Sequence, residues 1–137
     1  MQTTPSTPDV PSRRRLQIAL VVFGVIFIAG VVPLSIWWPS GWAWHEGGRS
    51  EYLEMIIALY ATLGVFLLLA AREPDRHTSL IAFTVWSSVA HGSVMAVQAL
   101  SEPRHCGHLV GDVPALFIVA AVLGWLCPAV WTPWRRV

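Results

Sequence analysis

Four apolar stretches, Leu16 to Ile36, Tyr52 to Ala71, Thr78 to Leu100 and Val110 to Val130, decide what this chain can fold into. Each supplies the ~20 residues that a helix needs to cross ~30 Å of hydrocarbon. In lipid no water is present to pair a free N–H or C=O, so segments of this length and polarity span as helices. Together they occupy most of the 137 residues, and 55% of the chain is hydrophobic against 12% charged. The short connections between them cannot bury a core of their own. The predicted fold is therefore an all-α four-transmembrane-helix bundle over 13–137, with spans at about 16–36, 52–71, 78–100 and 110–130. Residues 1–12, rich in Thr, Pro and Ser, read as a disordered cytoplasmic tail.

The arrangement of charge sets the orientation. All nine basic residues are arginines; seven of them, Arg13, Arg14, Arg15, Arg72, Arg76, Arg135 and Arg136, fall on one side of the predicted membrane, and only Arg49 and Arg104 on the other. The positive-inside rule then places both termini and the middle turn in the cytoplasm, and the 37–50 connection and the 102–109 loop outside. With a net charge of +1 the chain has no basic stripe for a nucleic acid. Tryptophan marks the two interfaces, with Trp37, Trp38, Trp42 and Trp44 at the outer end of span one and Trp131 and Trp134 at the inner end of span four. The weak twin-arginine pattern Ser12-Arg13-Arg14-Arg15-Leu16 precedes a long apolar segment without an A-x-A site, which reads as a retained anchor. The expected location is a bacterial inner membrane, which the chain crosses several times.

Polar groups inside a span are costly unless they face the bundle interior, a partner or water. Span three carries most of them: Thr84, Ser87, Ser88, His91, Met95 and Gln98 recur every three or four residues along one face. His91 is the histidine at membrane depth. Glu51, Glu54 and Met55 occupy the first turns of span two, and His108 and Asp112 the mouth of span four, all toward the outer half. Eight residues, Glu51, Glu54, Met55, His91, Met95, Gln98, His108 and Asp112, are thus expected to form a polar pocket open to the outer face. Several also have a structural reading. Asp112 follows Gly111 as an N-cap for span four, Glu51 and Glu54 meet the positive end of helix two after Ser50, and His91 is satisfied by one interhelical hydrogen bond.

Met55, His91 and Met95 supply soft ligands that would suit a copper ion, with His91 and Met95 at i and i+4 facing one centre. No Glu precedes a span histidine by three, so the Glu-x-x-His element of di-iron bundles is missing. A bis-histidine haem would need a second histidine at the depth of His91, which only a second copy could bring. His105 and His108 form a small loop cluster. Cys106 and Cys127 stand ~30 Å apart along a helix and cannot pair with each other within one chain. No phosphate loop, dinucleotide fingerprint, nucleophile elbow or zincin helix occurs.

The segments Leu63-Gly64-Val65-Phe66-Leu67, Ala70-Ala71-Arg72-Glu73-Pro74, Leu80-Ile81-Ala82-Phe83, Ala90-His91-Gly92-Ser93-Val94-Met95 and His108-Leu109-Val110-Gly111-Asp112-Val113-Pro114-Ala115-Leu116 carry a resemblance over about residues 50–120. The chain resembles an uncharacterised bacterial family of short four-helix membrane proteins and is distantly similar to DoxX-type bundles. The latter resemblance implies a membrane partner in redox or sulfur metabolism, near quinones, and assigns no catalytic residue here. Two functions are expected from the whole. In one, the protein is a non-catalytic accessory subunit or small-ligand-binding module, in contact with the lipid bilayer and with other membrane subunits or itself. In the other, His91 with Glu54 and Met95 centres a redox, copper or proton-transfer site.

Overall fold

The structure, a computed structural model, describes residues 10–43 and 50–131. Every element in them is helical: α1 (Val10–Val25), a π turn (Ile26–Gly30), α2 (Val31–Trp37), α3 (Pro39–Trp42), α4 (Glu51–Ala70), a 3-10 turn (Pro74–His77), α5 (Thr78–Ser101), a 3-10 segment (Pro103–Val110), α6 (Asp112–Leu126) and a last 3-10 turn (Pro128–Trp131). Four continuous helical stretches are long and apolar enough to cross a membrane: Ser12–Trp37, Glu51–Ala70, Pro74–Ser101 and Pro103–Leu126. Large apolar side chains such as Ile18, Leu59, Phe83, Val97 and Trp125 stand exposed on all four, as lipid-facing residues do. The expectations for Trp44, Arg49, Trp134, Arg135, Arg136 and the first nine residues lie outside the described residues.

Prolines explain where the elements depart from the sequence reading. Pro33 lacks an N–H and its ring crowds the carbonyl four residues back, at Ala29; the wider π turn Ile26–Gly30 absorbs the misfit without ending the span. The outer loop expected over 102–109 is instead the 3-10 segment starting at Pro103. Span four, expected to run to Val130, stops at Leu126, because Pro128 drives Cys127 out of helical conformation (φ −129°, ψ 73°). Helix α1 already begins at Val10, inside the stretch read as a tail.

Of the long helices, α4 starts with a side-chain cap, whereas α5 and α6 start without one. Ser50 caps α4 as its neighbours suggested, its hydroxyl accepting from Leu53 N–H at 3.3 Å. Helix α6 starts at Asp112 after Gly111 with no side-chain cap, so Asp112 is the first helical residue and not the N-cap. His77, at the N-cap of α5, makes no side-chain cap hydrogen bond. The Asp75 carboxylate lies 3.2 Å from Arg13 Nε and ties α1 to the Pro74–His77 turn.

The helices pack as two pairs. α1 with its π turn lies along α4, and α5 lies along α6; α4 and α5, although joined by the short link 71–77, make little backbone contact. In the first pair the axes come so close that a Cβ on Gly64 would stand 2.6 Å from the Gly24 carbonyl oxygen. The pairs join at the end that carries Arg13, Arg72 and Arg76, here the arginine end, through a core that includes Leu16, Leu20, Leu67, Ala70, Ile81, Val85, Leu123 and Val130. Trp131 closes this end: its indole N–H donates to the Gly124 carbonyl at 3.0 Å and its ring stands edge-on to Trp86, centroids 5.6 Å apart. Toward the opposite end, marked by Trp37, Trp38 and Trp42, a smaller core of Met95, Val113 and Leu116 lies in the second pair, with Tyr60 of α4 packed against it.

Candidate functional site

Because the pairs share their larger core at the arginine end and Tyr60 packs against the smaller one, a cleft opens between them in the tryptophan-end half. Its volume is about 710 Å³, inside the range of roughly 300–1,000 Å³ typical of small-molecule sites. All four long helices line it, mostly with apolar side chains: Phe23, Ile26 and Phe27 from α1 and its π turn, Leu53 and Ile56 from α4, Met95 from α5, Leu116 and Val119 from α6. The polar lining is sparse and consists of Ser50, Tyr52, Tyr60, His91, Gln98 and Asp112, with the indole of Trp42.

Tyr60 and His91 meet across the gap between α4 and α5. The Tyr60 hydroxyl oxygen lies 2.9 Å from His91 Nδ1. In the tautomer that keeps a proton on Nε2, the hydroxyl donates to Nδ1 and leaves the Nε2–H as a donor. Phe27 stands edge-on to Tyr60 at 5.0 Å between centroids, so three rings from α1, α4 and α5 follow one another. Tyr60 is nine residues into α4 and His91 ten residues before the end of α5, which gives both the same depth at 1.5 Å per residue. That matching depth is the signal in the sequence that pairs Tyr60 with His91.

A second polar pair stands at the base of α6. His108 is 1% exposed and Asp112 7%. The His108 Nδ1–H donates to the Asp112 carboxylate, with both oxygens at 3.1 Å. Asp112 also lines the cleft, so the pair joins the cleft wall to the 3-10 segment. Outside the spans, Glu102 receives a hydrogen bond from Arg104 and lies 3.5 Å from His105 Nε2. The Arg104 bond and charge hold the Glu102 carboxyl below its ordinary value.

Glycine brings this segment against α3. A Cβ on Gly107 would strike the Ser40 carbonyl, and one on Gly111 the Gly41 carbonyl. This backbone-on-backbone seat bridges the two helix pairs at the tryptophan end. The indole nitrogen of Trp42 is buried there with no hydrogen-bond partner among the described residues.

The eight residues expected to form one pocket therefore separate. His91, Met95, Gln98 and Asp112 line the cleft, and His108 stands behind Asp112. Glu51, Glu54 and Met55 are exposed and do not line it, and Met55 is 59% exposed. Of the soft-ligand set, His91 and Met95 share the cavity and Met55 stands outside it. On span three, Thr84 and Ser88 are buried toward the arginine end, where the Thr84 hydroxyl donates to the Leu80 carbonyl at 2.9 Å. Among the described residues, no three His, Cys, Asp or Glu side chains converge on a point that would hold a metal ion.

The chain belongs to a family of unknown function, DUF6632, whose family model matches residues 10–132. The match takes in the first span and its tryptophan-rich connection as well as the segments from 50 onward. Compared with curated proteins and with solved structures, the chain matches none.

Proposed function

We propose that this small four-span membrane protein is a non-catalytic binding module that holds a small, largely apolar molecule between its two helix pairs, as a subunit of a larger membrane assembly or of a self-assembly. In this reading it sits in a bacterial inner membrane with both termini and the Arg72–His77 turn in the cytoplasm, so that the cleft occupies the outer half of the bilayer. The observation that carries the proposal is the cleft of about 710 Å³ at membrane depth, apolar except for a few convergent polar groups. Tyr60 and His91 are the groups suited to hold the head of such a ligand, through neutral hydrogen bonds that gain strength in a low-dielectric site.

The test is purification in a gentle detergent, followed by mass analysis of the intact assembly and extraction of co-purifying small molecules, on wild type and His91→Ala. A ligand that survives in wild type and is depleted in the variant supports the proposal. An empty assembly in both refutes it.

A second reading, a proton-transfer or redox site centred on His91, is favoured by one observation: the Tyr60–His91 pair and the Asp112 carboxylate line the same cavity. A copper ion would have to rely on His91 and Met95, since Met55 does not line the cavity. A bound quinone fits either reading, as ligand or as redox partner. Metal analysis and an optical spectrum of the same preparation separate the two.

A further inference from the structure

We infer that the cleft is filled sideways from the bilayer, by a lipid-soluble amphiphile with an uncharged hydroxyl or carbonyl head. This rests on the reading of the cleft as a ligand site and adds the route and the chemical class. The route follows from the walls. Ile56 and Ile118 both line the cavity, yet they are 40% and 57% exposed. Ile56 is five residues into α4 and Ile118 six into α6, ~7 to 9 Å along their helices, which puts both at hydrocarbon depth. A lining residue exposed at that depth marks a mouth that faces lipid. At the tryptophan end α3 and the Pro103–Val110 segment bridge the pairs backbone against backbone, and the exposed lining residues there, Tyr52 and Gln98, lie one residue into α4 and three before the end of α5, at the interface level and not in the hydrocarbon.

Charge sets the head group. Asp112 contributes a carboxylate to the wall, and no arginine is among the described lining residues. An anionic head would lie beside a like charge, with no arginine among the described lining residues to pair it, inside a low-dielectric cavity. Travel through hydrocarbon penalises a permanent charge of either sign. An uncharged head suffers neither penalty and has donors and acceptors to meet at Tyr60 and His91.

The experiment uses the full chain in phosphatidylcholine nanodiscs with two probes of identical tail, a long-chain primary alcohol and the matching carboxylate, each carrying a mid-chain diazirine. After irradiation, labelled peptides are mapped by mass spectrometry. The alcohol is expected to label peptides of α5 and α6 that line the cleft, with the carboxylate about tenfold weaker at neutral pH, the factor that ~1.4 kcal/mol gives. Ile118→Trp, alone and with Ile56→Trp, fills the mouth and should abolish cleft labelling, while Val94→Trp, on an exposed position outside the lining, leaves it intact. Both mouth positions are exposed, and the single Ile118→Trp variant suffices should the double one fail to fold. Absence of cleft labelling by either probe in wild type overturns the ligand reading itself. Labelling that survives a folded mouth variant overturns the lateral route and leaves binding standing, and equal labelling by the carboxylate overturns the uncharged head.

Discussion

Gly64→Ala is expected to loosen the crossing of α1 and α4 and to destabilise the bundle by roughly 1–2 kcal/mol. An added Cβ would stand 2.6 Å from the Gly24 carbonyl oxygen, 2.8 Å from Ile28 Cγ1 and 3.1 Å from Phe27 Cβ. Ordinary contact begins near 3.4 Å, so the helices must part by about 0.8 Å at this point. A gap of that size forfeits about a quarter to a half of the dispersion energy of the atoms on either side. Overpacking of this kind costs about 1–3 kcal/mol, here in the upper half because a backbone oxygen cannot rotate away. Alanine's better helix propensity returns about 1 kcal/mol. Gly24→Ala should cost less, since two of its three close contacts are to the flexible Leu68 side chain. The double variant should cost little more than Gly64→Ala alone, because helices already parted accommodate the second methyl. Reversible unfolding by dodecyl sulfate in mixed micelles measures these differences, with Gly30→Ala as control. At Gly30 the new Cβ meets only Ile26 of the preceding turn, at 3.2 Å, and stability should hold or rise by about 0.5–1 kcal/mol. A Gly64→Ala protein as stable as wild type, or strict additivity in the double variant, would refute the close-crossing argument.

Three other outcomes follow from the polar contacts. His108→Ala strips the buried Asp112 carboxylate of its His108 hydrogen bond and should destabilise by about 1–3 kcal/mol, with Asp112→Asn milder because the amide oxygen still accepts from Nδ1; the same micelle unfolding experiment decides. Tyr60→Phe should cost about 0.5–1.5 kcal/mol for the lost hydrogen bond to His91 and keep the spacing of α4 and α5, whereas Tyr60→Leu should also shorten the distance between spin labels on exposed Leu59 and Val94, and an unchanged distance would show that Tyr60 does not hold the helices apart. The depressed Glu102 carboxyl stays ionised above its ordinary titration range, and its contact with Arg104 is lost only as pH falls through the lowered value. Arg104→Gln should return Glu102 toward the ordinary glutamate value in a carbon-13 NMR titration, and no movement would remove Arg104 as the cause.

The four spans were legible because one physical demand, about twenty apolar residues per crossing, writes itself directly into sequence. The structure's four long apolar helices overlap the four stretches. The largest difference, seven residues at the start of the fourth, falls at Pro103, and its end, four residues short, falls before Pro128; the effects of both prolines depend on geometry several residues away. Periodicity puts His91, Met95, Thr84 and Ser88 on one face of span three; in the structure His91 and Met95 line the cleft and Thr84 and Ser88 are buried. It could not say which face of α4 looks inward. Glu51, Glu54 and Met55 face outward, and Tyr60, absent from any polar pattern because it sits alone among Leu and Ala, makes the contact. Asp112 was misread for a related reason: a residue after glycine at a helix start has the signature of a cap, but its partner His108 lies four residues back in a segment whose 3-10 course no local pattern announces.

Side-chain size along the axis explains why a bundle with so few polar contacts has a cleft at all. At mid-depth Gly24 and Gly64 let α1 and α4 touch, and toward the arginine end Ala70, Ala71 and Ala82 let the pairs close onto Leu67, Ile81 and Leu123. About one turn beyond the glycines toward the tryptophan end stand Phe27 and Tyr60, and across from them His91. Rings at that level hold apart helices whose other halves are drawn together, and two rigid rods in contact at one end and spaced by aromatic rings near the middle must diverge beyond them. The cleft is thus a consequence of packing small residues and large ones in sequence along the same helices, and the bridge of α3 onto Gly107 and Gly111 ties the divergent ends together without filling the space between them.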